Sequence, residues 1–255
     1  MQAPNIAFTP RGLFIGGRWV APAEGRSFAS INPANLGKLA EVPFATGPDI
    51  DAAVKAAKSA FREWSRVPIK ERARCLELLA DRIEENADGL ALFDAVDSGN
   101  AIVGMRSDMT WTADWLRYCA GLVTEIKGET FSPGDRHLNF TRRQPFGVVA
   151  KINPFNHPFR FCAEKAAAPL AAGNTVVIKG SEQAPLSSFR LVELCEGMFP
   201  DGVINIIAGD GLVGAALVRH PDVHRIGFVG SVPTGRNIAQ EAAAGPQAGQ
   251  PRTRR

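Results

Sequence analysis

The sequence predicts an α/β fold, a parallel sheet flanked by helices, and three observations carry that prediction. The first is the stretch from Val148 to Glu182. VVAKI is short, apolar and β-branched, Glu164 to Leu170 consists of helix formers stopped by Ala171-Ala172-Gly173-Asn174, and a second β-branched run, Thr175 to Ile178, follows at once. Strand, helix and strand at this spacing make a βαβ unit with parallel strands and a right-handed crossover. The second observation is that the rhythm repeats, with a helix over Ser187 to Met198, a strand over Val203 to Ile207 and a further strand over Arg225 to Val229. The third is upstream, where apolar residues between Asp49 and Ala120 recur at helical spacing and predict an amino-terminal helical layer. Ligands of such sheets bind outside the carboxyl ends of the strands. Residues 153–158 and 179–182 lie at those ends, so both are placed to touch a ligand.

In chain order, Leu13 to Val20 reads as two short strands joined at Gly16-Gly17, a two-residue hairpin signal. Residues 21–47 read as loop, punctuated by Pro22, Gly25, Pro33, Gly37, Pro43 and Gly47. From Asp49, Ile50, Val54, Ala57, Phe61 and Trp64 share one helical face; after Pro68, Ile69, Leu76, Leu79 and Ile83 form a second stripe. That second helix ends in Glu84-Glu85, the wrong sign for its dipole. Two more helices span 87–97 and 101–120, separated by Ser98-Gly99-Asn100. Trp111, Trp115 and Tyr118 in the latter offer a ligand platform, but spacings of four and three favour a core stripe. Residues 123–147 turn polar and extended around Ser132-Pro133-Gly134-Asp135, a protruding two-stranded ribbon that needs a partner to be stable.

In the central unit, Pro154 and Pro158 fix the backbone around Asn156, and the plain reading of that asparagine is a cap for the following helix. Lys179 and Glu182 read by themselves as a solvated pair. Gly209-Asp210-Gly211-Leu212-Val213-Gly214 is a literal G-x-G-x-x-G between strand and helix, a weak signal when alone. The fourth strand runs into Gly230-Ser231-Val232-Pro233-Thr234-Gly235, where a helix start offers amides to a phosphate. His220 and His224 form the tightest histidine cluster, on a loop before a strand, and no metal role is assigned to it. Residues 246–255, PQAGQPRTRR, have no apolar period and read as a disordered tail.

Composition fits a soluble globular body: 255 residues, 45% apolar. The net charge of +3 resides in the three arginines of the tail, while positions 1–245 carry 26 basic and 26 acidic side chains. A neutral body has no electrostatic footprint for nucleic acid or an anionic membrane. No apolar run has signal-peptide or membrane-spanning length, so a cytoplasmic protein is expected. The four cysteines, Cys75, Cys119, Cys162 and Cys195, sit in helical patterns among apolar neighbours and read as reduced, buried thiols.

Four segments in order, PFNHP, AAAPLAAGNTVVIKGSE, NIIAGDG and FVGS-x-x-x-G, resemble the cofactor-binding half of an aldehyde dehydrogenase, and FIGGRWV and INPANLG resemble that family's opening hairpin and loop. The resemblance implies oxidation of a small-molecule aldehyde to an acid with NAD, NADP being left open, through thiolate attack, hydride transfer and hydrolysis. It makes Asn156 the catalytic oxyanion donor. It assigns the cofactor to Ile152, Pro154 and Phe155, to Lys179, Ser181 and Glu182, and to Gly211, Gly214, Phe228, Gly230 and Ser231. Lys179 and Glu182 match the pair that holds the adenosine ribose, and a carboxylate there repels a 2′-phosphate. Phe155 stands where tryptophan is common and Gly180 where proline is usual. The ribbon resembles a subunit-pairing arm, which implies a homo-oligomer in intact relatives. The resemblance stops near Gly245, before the family's L-E-L-G-G base and G-Q-x-C nucleophile, as in a truncated or frameshifted reading frame. The expectation is an incomplete cofactor-binding domain over 1–245 without a catalytic domain; the alternatives are a catalytically dead NAD-binding or assembly module, or a pseudogene product.

Overall fold

A computed structural model of the protein describes Phe8 and residues 10–244; the tail read as disordered lies outside the described residues. Strands β1 (Leu13–Ile15) and β2 (Arg18–Val20) form the expected hairpin. Its turn glycines, Gly16 and Gly17, have φ of 63° and 80°, the left-handed geometry of a two-residue hairpin turn. Residues 21–47 are not all loop. They contain a second antiparallel pair, β3 (Ser27–Ile31) and β4 (Lys38–Pro43), whose short alternation was masked by the prolines and glycines around it.

Helix α1 (Gly47–Trp64) opens on a capping box in which the Thr46 amide donates to Asp49 Oδ2 at 2.8 Å. It buries Ile50, Val54, Ala57 and Trp64, with Phe61 half-buried. Helix α2 (Ile69–Glu85) buries Leu76, Leu79 and Ile83, but Ile69, in its first turn, stays 43% exposed. Helices α3 (Ala87–Ser98) and α4 (Ile102–Leu122) follow, and Arg117 of α4 pairs with Glu84 at 2.6 Å, offsetting the unfavourable dipole at the end of α2. Of the three aromatic residues of α4, only Trp115 packs against the core, so they do not form a core stripe. Its buried face runs through Met105, Met109, Thr112, Leu116 and Ala120, which turns Trp111 and Tyr118 outward at 51% and 56% exposure.

The polar stretch forms a ribbon of β5 (Thr130–Gly134) and β6 (His137–Phe140), exposed along its whole length. It turns at Asp135-Arg136, later than the Ser132–Asp135 reading, because Gly134 still pairs with His137.

The rest alternates strand and helix. Strand β7 (Val148–Ile152) leads to α5 (Pro158–Ala171), which starts six residues before the helix formers at Glu164 because Pro158 is tolerated in a first turn. Then come β8 (Thr175–Lys179), α6 (Leu186–Leu194, which begins one residue before the expected Ser187 and ends four before the expected Met198), β9 (Ile204–Ile207), α7 (Gly211–Arg219), β10 (Val223–Phe228) and α8 (Val232–Ala244). The six-stranded sheet has the order β10-β7-β8-β9-β1-β2. The four strands β10, β7, β8 and β9 are parallel, as expected; β1 and β2 extend the sheet antiparallel, so it is mixed. The hairpin covers what would be the free edge of β9.

Alternation along the parallel strands builds two cores. Val149, Val176, Ile178 and Ile206 face a layer of α2 to α6, while Val148, Ala150, Val177 and Ile207 face α1 and α7. Full burial of a side chain such as Phe159 or Phe189 stabilises by about 1.5–3 kcal/mol. The topology also fixes where a ligand can go. The chain steps from β7 to β8 to β9 with α5 and α6 on one face, then returns by α7 on the other face to place β10 on the opposite side of β7. The strand order reverses between β7 and β10, and a crevice opens there at the strands' carboxyl ends.

Candidate functional site

A cleft of about 720 Å³ occupies that switch point. Three short segments and one helix face line it. From β7 come Ile152, Asn153, Pro154 and Phe155. Asn153 is buried: its backbone amide donates to the Lys179 carbonyl at 3.1 Å and its side chain to Cys162 Sγ at 3.6 Å, which ties the start of the loop to β8 and α5. Phe155, at 49% exposure, presents its ring to the opening.

Beyond β8, Lys179 is 4% exposed, and its ammonium donates to Glu182 Oε2 at 2.9 Å. A buried ammonium needs such a partner. Glu182 is half-exposed, so its carboxylate retains free acceptor capacity on the cleft side, and the pair is not the solvated one of the plain reading. Ser181 lines the cleft while its Oγ accepts from the Gln183 amide at 3.2 Å.

The third wall comes from the starts of α7 and α8. Gly211 and Gly214 line it, yet the helix start between them is not an open anion cradle: Asp210 Oδ1 accepts from the amides of Leu212 (2.9 Å) and Val213 (3.3 Å). A carboxylate already on those amides opposes a second anion. Nor is Gly214 sterically forced, since a Cβ there would meet Ile152 Cδ1 at 3.9 Å. Gly230 differs, because a Cβ would fall 2.4 Å from the Phe228 ring that lies across the turn. Ser231 hydroxyl is within 2.9 Å of Thr234 Oγ1 and accepts from the Thr234 amide at 3.3 Å. Pro233 has no N–H and Thr234's is taken, so α8 offers fewer donors to a phosphate than its sequence promised.

The structure thus gathers all eleven cofactor-site candidates around one cleft, but Asn156 is not among its lining residues. Asn156 sits beside it, exposed; its carbonyl accepts from Asn100 Nδ2 at 2.5 Å. The residue capping α5 is His157, so the helix-cap reading of Asn156 fails. Sequence reasoning missed Gln183, Arg219, Asn237, Gln240 and Glu241 on the cleft wall. Thr234, Asn237 and Glu241 recur at spacings of three and four on α8, a polar stripe that helical periodicity exposes once the helix is placed. Arg219 and Glu241 close the outer end as a pair at 2.7 Å.

The thiols are placed differently. Burial pushes Cys162 and Cys195 up to about 12 and Cys119 up to about 11, and burial raises half-buried Cys75 as well. No group of three metal-ligating side chains occurs among the described residues, and no helix there is long and apolar enough to cross a membrane.

Fold and cleft define a doubly wound α/β domain with a cleft at the switch point. The chain belongs to the aldehyde dehydrogenase family, whose sequence model matches residues 19–249. It is 42% identical over 237 residues to an aldehyde dehydrogenase of Aspergillus niger, covering 92% of this chain and 48% of that protein. It is 39% identical over 243 residues to the human mitochondrial 10-formyltetrahydrofolate dehydrogenase, covering 92% of this chain and 26% of the relative. The structure of a Bacillus cereus aldehyde dehydrogenase in complex with NAD+ superimposes with a TM-score of 0.89 at 40% identity, over 94% of this chain and 49% of that one. The chain spans about half the length of such relatives or less.

Proposed function

We propose that this chain is the NAD-binding half of an aldehyde-oxidising enzyme. The observation that carries the reading is the Lys179–Glu182 pair, held at the carboxyl end of β8 inside the switch-point cleft. A buried ammonium beside a half-exposed carboxylate fits a ribose diol: Glu182 accepts from its hydroxyls and Lys179 donates to them. When bound, NAD would supply its nicotinamide as the hydride acceptor. Phe155 and Phe228 give the cleft apolar walls for the cofactor to lie against, and the Gly230-Ser231 turn approaches the ligand with its backbone. Beside the cleft, Asn156 donates its side-chain amide to the oxyanion formed at the aldehyde carbon.

The fully buried Cys162 and Cys195 do not suit the nucleophile's role, since a thiol at about 12 holds almost no thiolate at neutral pH, and burial raises Cys119 and Cys75 too, away from the cleft lining. That supports a second reading, a binding or assembly module without turnover of its own. The exposed apolar side chains of the ribbon, Phe131, Leu138 and Phe140, suit a subunit contact in either case.

Titration calorimetry tests the cofactor. NAD binds more tightly than NADP, Lys179→Ala weakens NAD by about tenfold or more through loss of a charge-assisted hydrogen bond, and Glu182→Gln narrows the preference over NADP. Heat with NADP but none with NAD, or silence with both, refutes the reading.

A further inference from the structure

We propose that Asp108 is a positioning residue for the Asn156 turn, acting from α4 through His157 and Arg160. The inference rests on the reading of Asn156 as an oxyanion donor.

Asp108 lies on the buried face of α4 between Met105 and Met109, at 4% exposure. A carboxylate among such neighbours is costly unless paired. Oδ2 pairs with His157 Nδ1 at 2.5 Å and Oδ1 accepts from Arg160 Nη1 at 3.0 Å. Both partners belong to the turn and first helical residues directly after Asn156. Arg160 is further held by Glu164 at 2.9 Å and lies 5.0 Å above the Trp111 ring. From the loop between α3 and α4, Asn100 Nδ2 donates to the Asn156 carbonyl at 2.5 Å. From α3, Asp94 Oδ2 accepts from the Phe159 amide at 3.1 Å. Residues 156, 157, 159 and 160 are therefore each gripped from the helical layer, and all of these bonds are polar and directional.

That choice of interaction is informative. A buried ion pair gives little net stability over an apolar pair of the same volume, whereas it fixes geometry. Asn156 has no side-chain hydrogen bond of its own among the described residues, so its orientation is inherited from the backbone on either side. An oxyanion donor displaced by about 1 Å loses most of its effect. Asp108 and Asn100 thus set the aim of Asn156 without touching the reacting atoms.

Hydrogen exchange and amide NMR on the full 255-residue chain, without cofactor, test this. In Asp108→Ala, exchange of the amides of residues 156–161 rises by about tenfold or more while β8 keeps its protection, and the two Asn156 side-chain amide proton signals shift toward the positions of a free asparagine. Asp108→Asn, which keeps an acceptor for Arg160 and a polar partner for His157, restores both. Asn100→Ala, which removes the contacts to the Asn156 carbonyl and to Met105 Sδ, shifts the Asn156 signals with β8 unchanged; if Asp108→Ala does not fold, Arg160→Ala and His157→Ala, which each remove one partner of Asp108, must loosen residues 156–161 in its place. Unchanged Asn156 signals and unchanged 156–161 exchange in a folded variant overturn the proposal, as does failure of Asp108→Asn to restore them. Because cofactor is absent, a failure of NAD binding sinks the cofactor reading and leaves this result standing.

Discussion

Replacing Asp94 by asparagine separates two opposing forces on one buried carboxyl group. Asp94 is fully buried in α3, accepts from the Ser187 hydroxyl and from the Phe159 amide at 3.1 Å, and faces Asp97 and Asp108. Desolvation, the largest influence, lifts it from its ordinary 3.8 to about 7. The Ser187 and Phe159 donors pull the other way, and so does the start of α5. With burial dominant, the folded state holds this proton more tightly than the unfolded chain. Stability is then fully present below about pH 4 and is lost as pH rises toward 7, by about 1.4 kcal/mol for each unit of pKa elevation and about 4 kcal/mol in all. Asparagine is neutral throughout and keeps both contacts, its oxygen accepting from Phe159 and its amide donating to Ser187. Denaturant unfolding of wild type and Asp94→Asn, followed by tryptophan fluorescence between about pH 5 and 8, reads the difference. The variant gains on the wild type as pH rises. A wild type that gains on the variant over the same window would mean that the α5 amides hold an ionised carboxylate and outweigh burial.

Three further outcomes concern the thiols, turnover and the ribbon. A thiol reagent at mildly alkaline pH labels Cys75 first, with Cys119, Cys162 and Cys195 reacting only after denaturation; rapid labelling of Cys162 in the folded chain would contradict its burial and its elevation to about 12. The pure chain forms no NADH from aliphatic or aromatic aldehydes, and aldehyde-dependent NADH abolished by Cys162→Ala would show that a buried thiol does act as nucleophile. Size-exclusion chromatography with light scattering finds the chain self-associated through the ribbon, where Phe131, Leu138 and Phe140 are each more than half exposed. Leu138→Ser with Phe140→Ser shifts it toward monomer, and a sharp wild-type monomer counts against the ribbon as a contact surface.

Much of the fold was legible because its signals are local. The βαβ unit announces itself in five-residue β-branched runs that are buried on both faces, as parallel strands must be, and α1 and α2 show their stripes at clean helical spacing. What failed depended on partners distant in sequence. The aromatic residues of α4 have a helical spacing that fits a core, but which face of α4 is inward is decided by α2, α3 and α5, and these contact the 105–109–116 stripe. Strands β3 and β4 are short, half-polar and bordered by proline, so only their mutual pairing identifies them. Antiparallel addition of β1 to β9 joins residues some 190 positions apart, and no local pattern encodes it.

The site shows the same division more sharply. G-x-G-x-x-G was readable as a string, but its meaning turned on Asp210, whose carboxylate occupies the amides that the glycines leave accessible. An anion site at a helix start requires both free donors and no resident negative charge, and α7 meets neither condition. Lys179 and Glu182 were readable as a pair three residues apart, while the property that distinguishes them from a surface pair, one partner buried and the other open to the cleft, comes from the strand end and the switch point. Asp108 was not readable at all. It lies 48 positions before Asn156 on a helix whose inward face was misassigned, and its contacts with His157 and Arg160 arise only when α4 packs on α5. Residue types select what chemistry a position can do, but packing decides which polar groups remain free to do it, and in this domain that decision is made largely by the helical layer that precedes the sheet.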